Sequence, residues 1–262
     1  MSPDSDKAAL ITRDGAVAII TMNLPASRNA YGVQMKDALV RHFSDLMGDD
    51  PCRAIVLCGS QTVFSAGGNL RELSERSIPE VLAGMEFSHS LIRLMVRGSK
   101  PIVAAVEGHA HGAGLALAAA CDHVVVATDA SLSSAFLRVG LVPDAGCRWL
   151  LTRRVGASKA KELMMLAESF DGGEAGRIGF ADRVTATGQA LSAAVGIAQR
   201  FAKSSSVALA CIKASCAGDE AELEECFRLE LEHQRVALDT EFFRSAVAAF
   251  LQKRAPGVPR GS

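Results

Sequence analysis

Apolar and polar residues along this chain alternate in two different rhythms, and the changes of rhythm mark out its elements. Residues 8–24 hold two alternating apolar runs around Asp14-Gly15, a two-residue turn signal, which predicts a hairpin at the start of a sheet. Residues 25–30 break the pattern. Over 34–47 the apolar residues recur at Met35, Leu39, Phe43 and Leu46, the period of an amphipathic helix. Residues 54–58, 102–106 and 123–128 are short and continuously apolar, as strands are when both faces of their sheet are covered. Between the first two of these, 72–98 starts charged and then places Leu82, Met85, Leu91, Ile92 and Met95 on helical spacing. That methionine-bearing stripe reads as core, or as the wall of an acyl-chain pocket. Strands separated by helices in this order predict an α/β domain of parallel strands joined by right-handed crossovers. From Ala145 onward the chain reads as helical, over 147–155, 157–168, 189–203, 205–216, 220–237 and 241–254, with Gly156 and Asp171-Gly172-Gly173 as separators. No repeat with a period of about 20–50 residues is legible.

Composition narrows the class. With 262 residues, 49% of them hydrophobic, the chain can bury one sizeable core, or a core with a smaller appendage, and needs no disulfides to fold. Its seven cysteines are odd in number, form no Cys-x-x-Cys pair and sit mostly in apolar runs, so they read as reduced core residues of a cytoplasmic protein. The first residues lack the basic-then-apolar order of a leader, and no apolar run reaches the roughly 18 residues of a membrane span. A balance of 28 basic against 29 acidic residues, with no basic block and 5% aromatic residues, lacks the electrostatic footprint of nucleic-acid binding.

Two glycine-rich stretches carry the candidate chemistry. The run 102–106 leads into GHAHGAGLALAAACD (108–122), where Gly108, Gly112 and Gly114 precede an alanine- and leucine-rich segment that reads as a buried helix. Free N–H groups at such a helix start, backed by the helix dipole, suit an anion or a developing oxyanion. The run 54–58 leads into FSAGGNLREL (64–73), whose Ser65-Ala66-Gly67-Gly68 lets a ligand approach the main chain closely. Facing each other, the two stretches could hold one oxygen between two amides; taken singly, each reads first as a tight strand-to-helix turn. Neither has the spacing of a phosphate loop or a dinucleotide site. His109 and His111, two residues apart with no carboxylate or cysteine beside them, give no zinc pattern and read as packing or subunit-contact residues. Asp122 reads as a cap or support for the strand after it. Ser131, Ser133 and Ser134 lack the glycine-flanked elbow of a serine hydrolase.

FSAGGNLREL and GHAHGAGLALAAACD resemble the two signature segments of the crotonase superfamily, the enoyl-CoA hydratase/isomerase family, in order and in separation. The likeness continues through residues 23–30, GLVPDAG at 140–146 and AAFLQKRAP at 248–256, and so covers nearly the whole chain. It implies a spiral of repeated ββα units, residues 1–200, followed by a C-terminal helical oligomerisation region, residues 201–262. It implies an acyl-CoA thioester as substrate, a homotrimer or a hexamer built from two trimers, and no cofactor or metal beyond the coenzyme A that the substrate brings. The thioester oxygen would lie between the amides of Gly68 and Ala113, with Ala66, Gly67, Asn69, Leu70 and Phe136 lining the site. By the same resemblance Arg28 would meet the phosphate or adenine end of coenzyme A, and Lys253 would reach coenzyme A on an adjacent subunit. Read without it, Arg28 is a solvated loop arginine and Lys253 a lysine at a helix C-terminus.

The resemblance also shows a departure. Hydratases of the family use two glutamates to activate water, and the matching positions here are Ala116 and Phe136. What remains is Asp144, at the position of the catalytic aspartate of dienoyl-CoA isomerases and of ring-opening isomerases in phenylacetate degradation. It also matches the nucleophile of chlorobenzoyl-CoA dehalogenase, a reading that needs aromatic packing beyond Phe136 and Trp149. One carboxylate suffices for an isomerase, because it can take a proton from one carbon and return it to another. Three readings follow: a double-bond isomerase with Asp144 as proton shuttle, a catalytically silent acyl-CoA-binding subunit, and a hydratase with a non-standard base. For Asp144 itself, the alternative to catalysis is a helix N-cap.

Overall fold

The computed structural model describes residues 5–60 and 62–252. After the short helix α1 (Ser5–Ala8), strands β1 (Ala9–Asp14) and β2 (Val17–Met22) form the expected hairpin, with Asp14 opposite Val17. The chain then winds as a spiral. Each turn lays one strand into a main sheet, touches a second, smaller layer, and returns through a helix. From β2 it passes Tyr31 and returns by α2 (Val33–Gly48); from β3 (Ala54–Gly59) it passes Ser65 and Gly68 and returns by α3 (Leu70–Ser74) and α4 (Ile78–Arg97). The next turn is β4 (Ile102–Val106), β5 (His109–His111) and α5 (Ala113–Ala119). After it come β6 (His123–Ala127), β7 (Ser131–Ser133), a 3-10 turn (Ala135–Val139) and α6 (Cys147–Leu166).

The main sheet has the order β1-β2-β3-β4-β6-β8, where β8 is Arg183–Thr185, and all its pairs except β1 with β2 are parallel. The second layer is built of shorter links: Tyr31 with Gly68, Ser65 with Ala110, β5 with β7, and Leu132 with Phe170. These are the repeated ββα units. Both faces of the main sheet are covered. Ile55, Leu57, Ala104 and Val124 face a large core with Leu39, Phe43, Leu91 and Ile92, while Val56, Cys58, Val103, Ala105 and Val125 meet Ala194 and Ile197 of helix α8 (Ala190–Ala202). That two-sided burial is why these strands read as unbroken apolar runs.

The structure corrects several local expectations. The stretch 72–98 is two helices, because Ser77 and Glu80 form a capping box and Pro79 sits in the first turn of α4, where a missing N–H costs nothing. Asp171-Gly172-Gly173 is a helix start: the Asp171 side chain accepts from the Glu174 amide and caps α7 (Gly172–Arg177). Strands β5, β7 and β8, three residues each, are too short for any alternation to show.

Beyond residue 202 the chain adds α9 (Ser206–Cys216), α10 (Glu220–Leu238) and α11 (Glu241–Leu251). They fold back on their own spiral: α9 touches α4, α10 lies against α4 and α6, and α11 against α3 and the 3-10 turn. Among the described residues no helix is long and apolar enough to cross a membrane.

Candidate active site

The two glycine-rich stretches meet. A β-carbon on Gly67 would lie 2.6 Å from the His111 carbonyl oxygen, and one on Gly114 would lie 2.8 Å from the Ser65 β-carbon and carbonyl oxygen. Both contacts are closer than carbon permits, so the loops approach only because these positions lack side chains. Gly67 also has φ +93°, a conformation other residues rarely adopt. Hydrogen bonds fix the approach: Ser65 N–H donates to the His109 carbonyl at 2.8 Å, and His111 N–H to the Ser65 carbonyl at 3.0 Å.

A β-carbon on Gly112 would lie 4.0 Å from the Gly67 α-carbon, so Gly68 and Ala113 each follow this contact by one residue. Gly68 pairs with Tyr31 as a parallel bridge in which Tyr31 N–H donates to the Gly67 carbonyl at 2.7 Å, an arrangement that leaves the Gly68 amide unused. Ala113 is the first residue of α5, where an amide has no partner within the helix. Neither amide meets an acceptor among the described residues.

Arg28, Asn69, Leu70 and Phe136 adjoin the two loops. The Arg28 carbonyl accepts the Ala66 amide at 2.9 Å, which sets the exposed Arg28 side chain beside the first loop. Asn69 caps α3 through its side-chain oxygen and donates to Glu72 at 2.8 Å, and Leu70 opens that helix, so both hold the loop's exit. The Phe136 ring, buried, lies 3.8 Å from where a Gly112 β-carbon would be. Ala116 is wholly buried inside α5. Lys253 lies outside the described residues. Asp122 supports the sheet, accepting from Ile102 N–H at 2.8 Å and Lys213 Nζ at 2.7 Å. His111 bonds to the Ser131 hydroxyl at 3.0 Å, and burial, then His109, push its pKa down to about 4, so it is neutral at physiological pH.

Asp144 does not cap α6. The cap position belongs to Gly146, in the left-handed conformation, and the Asp144 side chain bonds to no amide of the helix start. The Asp144 carboxylate accepts no hydrogen bond from the described residues, and its pKa is raised to about 6, first by desolvation and then by the charge of Glu230, with Lys36 and His89 opposing.

Several residues around Asp144 were not singled out from the sequence. Tyr31 is buried, and Asp144 acts on it electrostatically. Its hydroxyl faces Ser88, whose own proton goes to the Gly84 carbonyl at 3.1 Å, and it makes no hydrogen bond among the described residues. Lys36 Nζ donates to the Gly84 carbonyl at 3.1 Å and lies 5.1 Å from the Tyr31 ring centre; burial lowers its pKa and the Asp144 charge raises it. Asn29, wholly buried, ties the first loop together by accepting from Leu24 N–H at 2.9 Å and donating to the Val63 carbonyl at 2.7 Å. A cavity of about 270 Å³, bordered by Leu24, Ala26, Gly32, Asn69 and Glu72, adjoins this loop. His89 and Glu230 had a legible signal: each is a polar residue at an apolar-stripe position, between Met85 and Ile92 on α4 and between Phe227 and Leu238 on α10.

The family model described as enoyl-CoA hydratase/isomerase matches residues 12–258. The chain belongs to the enoyl-CoA hydratase/isomerase family. It is therefore an enzyme of that family, with the crotonase fold. Proteins named for each of the two activities are among those it resembles. The chain is 31% identical over 248 residues to the 1,2-epoxyphenylacetyl-CoA isomerase of Escherichia coli K12, covering 92% of this chain and 94% of that one. It is 30% identical over 248 residues to the 2,3-dehydroadipyl-CoA hydratase of the same organism, covering 94% and 96%. The crystal structure of an enoyl-CoA hydratase/isomerase from Pseudoalteromonas atlantica T6c superposes with a TM-score of 0.86 at 28% identity, covering 96% of this chain and all of that one. Family membership fixes the fold and leaves hydration and isomerisation both open.

Proposed function

We propose that the protein is an acyl-CoA double-bond isomerase. The observation that carries this reading is the state of Asp144: a half-buried carboxyl whose pKa desolvation raises to about 6 and which accepts no hydrogen bond from the described residues, in a site where both hydratase glutamate positions hold carbon side chains, Ala116 and Phe136. At pH 7 such a group is mostly ionised and can act as a base, yet its conjugate acid is strong enough to give the proton back. The thioester oxygen sits between the Gly68 and Ala113 amides. Asp144 takes a proton from C2 of a 3-enoyl thioester; the C–H pair forms the enolate, whose charge rests on that oxygen. The proton then returns to C4, and the double bond has moved from C3–C4 to C2–C3. Each preorganised amide contributes about 3–4 kcal/mol toward the enolate.

Arg28 and Lys253 bind the coenzyme A end, and Ala66, Gly67, Asn69 and Leu70 line its path. Coenzyme A enters as part of the substrate, and no separate cofactor or metal is required. The assembly is a homotrimer, or a hexamer of two trimers, in the cytoplasm, where the seven unpaired cysteines remain reduced. The test is ultraviolet and mass analysis of a panel of 2-enoyl-, 3-enoyl- and 3,5-dienoyl-CoA thioesters, with calorimetric binding. Bond migration in the wild type that Asp144→Asn abolishes, with binding retained, supports the isomerase. Binding without migration or gain of water identifies a silent acyl-CoA-binding subunit, and a gain of water identifies a hydratase with an unrecognised base.

A further inference from the structure

A group of buried polar side chains left unused by this scheme surrounds the backbone of Asp144. On α10, Glu230 and Gln234 stand one turn apart with 4% and 1% of their surface exposed. Val142 N–H donates to Gln234 Oε1 at 3.0 Å, and Gly146 N–H donates to Glu230 Oε2 at 3.2 Å. Those two amides lie two positions before and two positions after Asp144. The same Glu230 oxygen is 3.0 Å from His89 Nε2 of α4, and its other oxygen accepts from the Cys226 thiol at 3.4 Å. The His89 ring is stacked on Phe227, centroids 4.1 Å apart, with 2% of the residue exposed. An ionisable pair this deep is costly unless its hydrogen bonds are complete, and an aliphatic stripe would pack α10 against the spiral with no such cost.

We propose that this clamp positions Asp144: Gln234 and Glu230 fix the backbone on either side of it, and the His89–Glu230 pair sets the charge that its carboxylate faces. The catalytic consequence rests on the isomerase reading; the positioning and the charge do not. The titratable groups that interact electrostatically with Asp144 are Tyr31 from the turn before α2, Lys36 from α2, His89 from α4, Cys147 from α6 and Glu230 from α10. Glu230 favours the protonated carboxyl, while Lys36 and His89 favour the carboxylate.

The two halves separate experimentally in the full-length protein. Gln234→Leu frees one side of the loop and lowers kcat about 100-fold with KM little changed, the scale of a misplaced catalytic group. Glu230→Gln keeps an acceptor for Gly146 but removes the group that favours the protonated Asp144 carboxyl, and moves the acid limb of the pH–rate profile down by about one unit; His89→Gln keeps a donor for Glu230 but removes a group that favours the carboxylate, and moves it up by a similar amount. Both glutamine variants preserve hydrogen-bonding shape and so read the charge; where Gln234→Leu fails to fold, Gln234→Met, which removes the acceptor of Val142 N–H at nearly unchanged volume, reads the positioning by the same loss of kcat. The titration of Asp144 is also read without turnover, from the difference in unfolding free energy between each variant and its Asp144→Asn counterpart across pH. Opposite shifts in the two glutamine variants support the clamp. Midpoints that stay in place in both, or Gln234→Leu at wild-type kcat, overturn it. A protein that turns over no thioester but shows the opposite shifts refutes the isomerase reading and leaves the clamp standing.

Discussion

A carboxyl held above its ordinary pKa destabilises the fold wherever it must ionise. For Asp144 the folded value is about 6 against 3.8 for the free group, so the folded state binds the extra proton between those values. Stability is therefore unaffected below about pH 4, falls as pH rises through 6, and stays lowered above, by up to about 3 kcal/mol at 1.36 kcal/mol per unit. Asp144→Asn removes the charge and should be more stable than the wild type by up to that amount at pH 8, and equal to it at pH 4, in urea unfolding. An Asp144→Asn chain no more stable at pH 8 would show that the carboxylate is well solvated or paired. The sequence placed Asp144 correctly in a loop before a helix but left its role open between cap and catalyst. A local pattern cannot tell the two apart, because the difference lies in Gly146 taking the cap position and in Glu230, distant in sequence, taking the nearby amide.

Among the elements, the strands buried on both faces and the long amphipathic helices were legible, because each writes its burial into the periodicity of its own residues. The second layer was not. Strands β5 and β7 and the bridges at Tyr31, Ser65 and Leu132 are held by partners from other turns of the spiral, and their few residues carry no period. The glycine signal was legible and its reason is now geometric. Gly67→Ala would set a β-carbon 2.6 Å from the His111 carbonyl oxygen at φ +93°. Such overpacking costs about 1–3 kcal/mol of stability. Because it parts the loops that carry the Gly68 and Ala113 amides, kcat should fall at least 100-fold, the scale of losing one oxyanion donor. Urea unfolding together with steady-state kinetics checks this; wild-type kcat in Gly67→Ala would mean that the junction does not form the reacting site. Also at this scale, His89 and Glu230 show that a polar residue inside an apolar stripe can be read from sequence as buried, although what it holds cannot.

For the whole molecule, α9–α11 cover their own spiral and still present apolar side chains outward: Val207 and Ile212 on α9 are 72% and 60% exposed, and Val236 on α10 is 70% exposed. Lys213 pins α9 through Asp122 and the Lys100 carbonyl, which turns Val207 and Ile212 away from the core. On the proposed assembly these residues meet a neighbouring subunit. Light scattering should give the mass of three or six chains, and Val207→Lys combined with Ile212→Lys should lower it; a wild-type monomer at micromolar concentration would refute the assembly. The central claim, that Asp144 moves a proton along an oxyanion-held thioester, is tested most directly by deuterium transfer. A 3-enoyl-CoA thioester incubated with the wild type in deuterium oxide should yield the 2-enoyl isomer, with label appearing at C2 of recovered substrate or C4 of product, and Asp144→Asn should bind the thioester and give neither. Label and isomer appearing at the wild-type rate in Asp144→Asn would contradict the account.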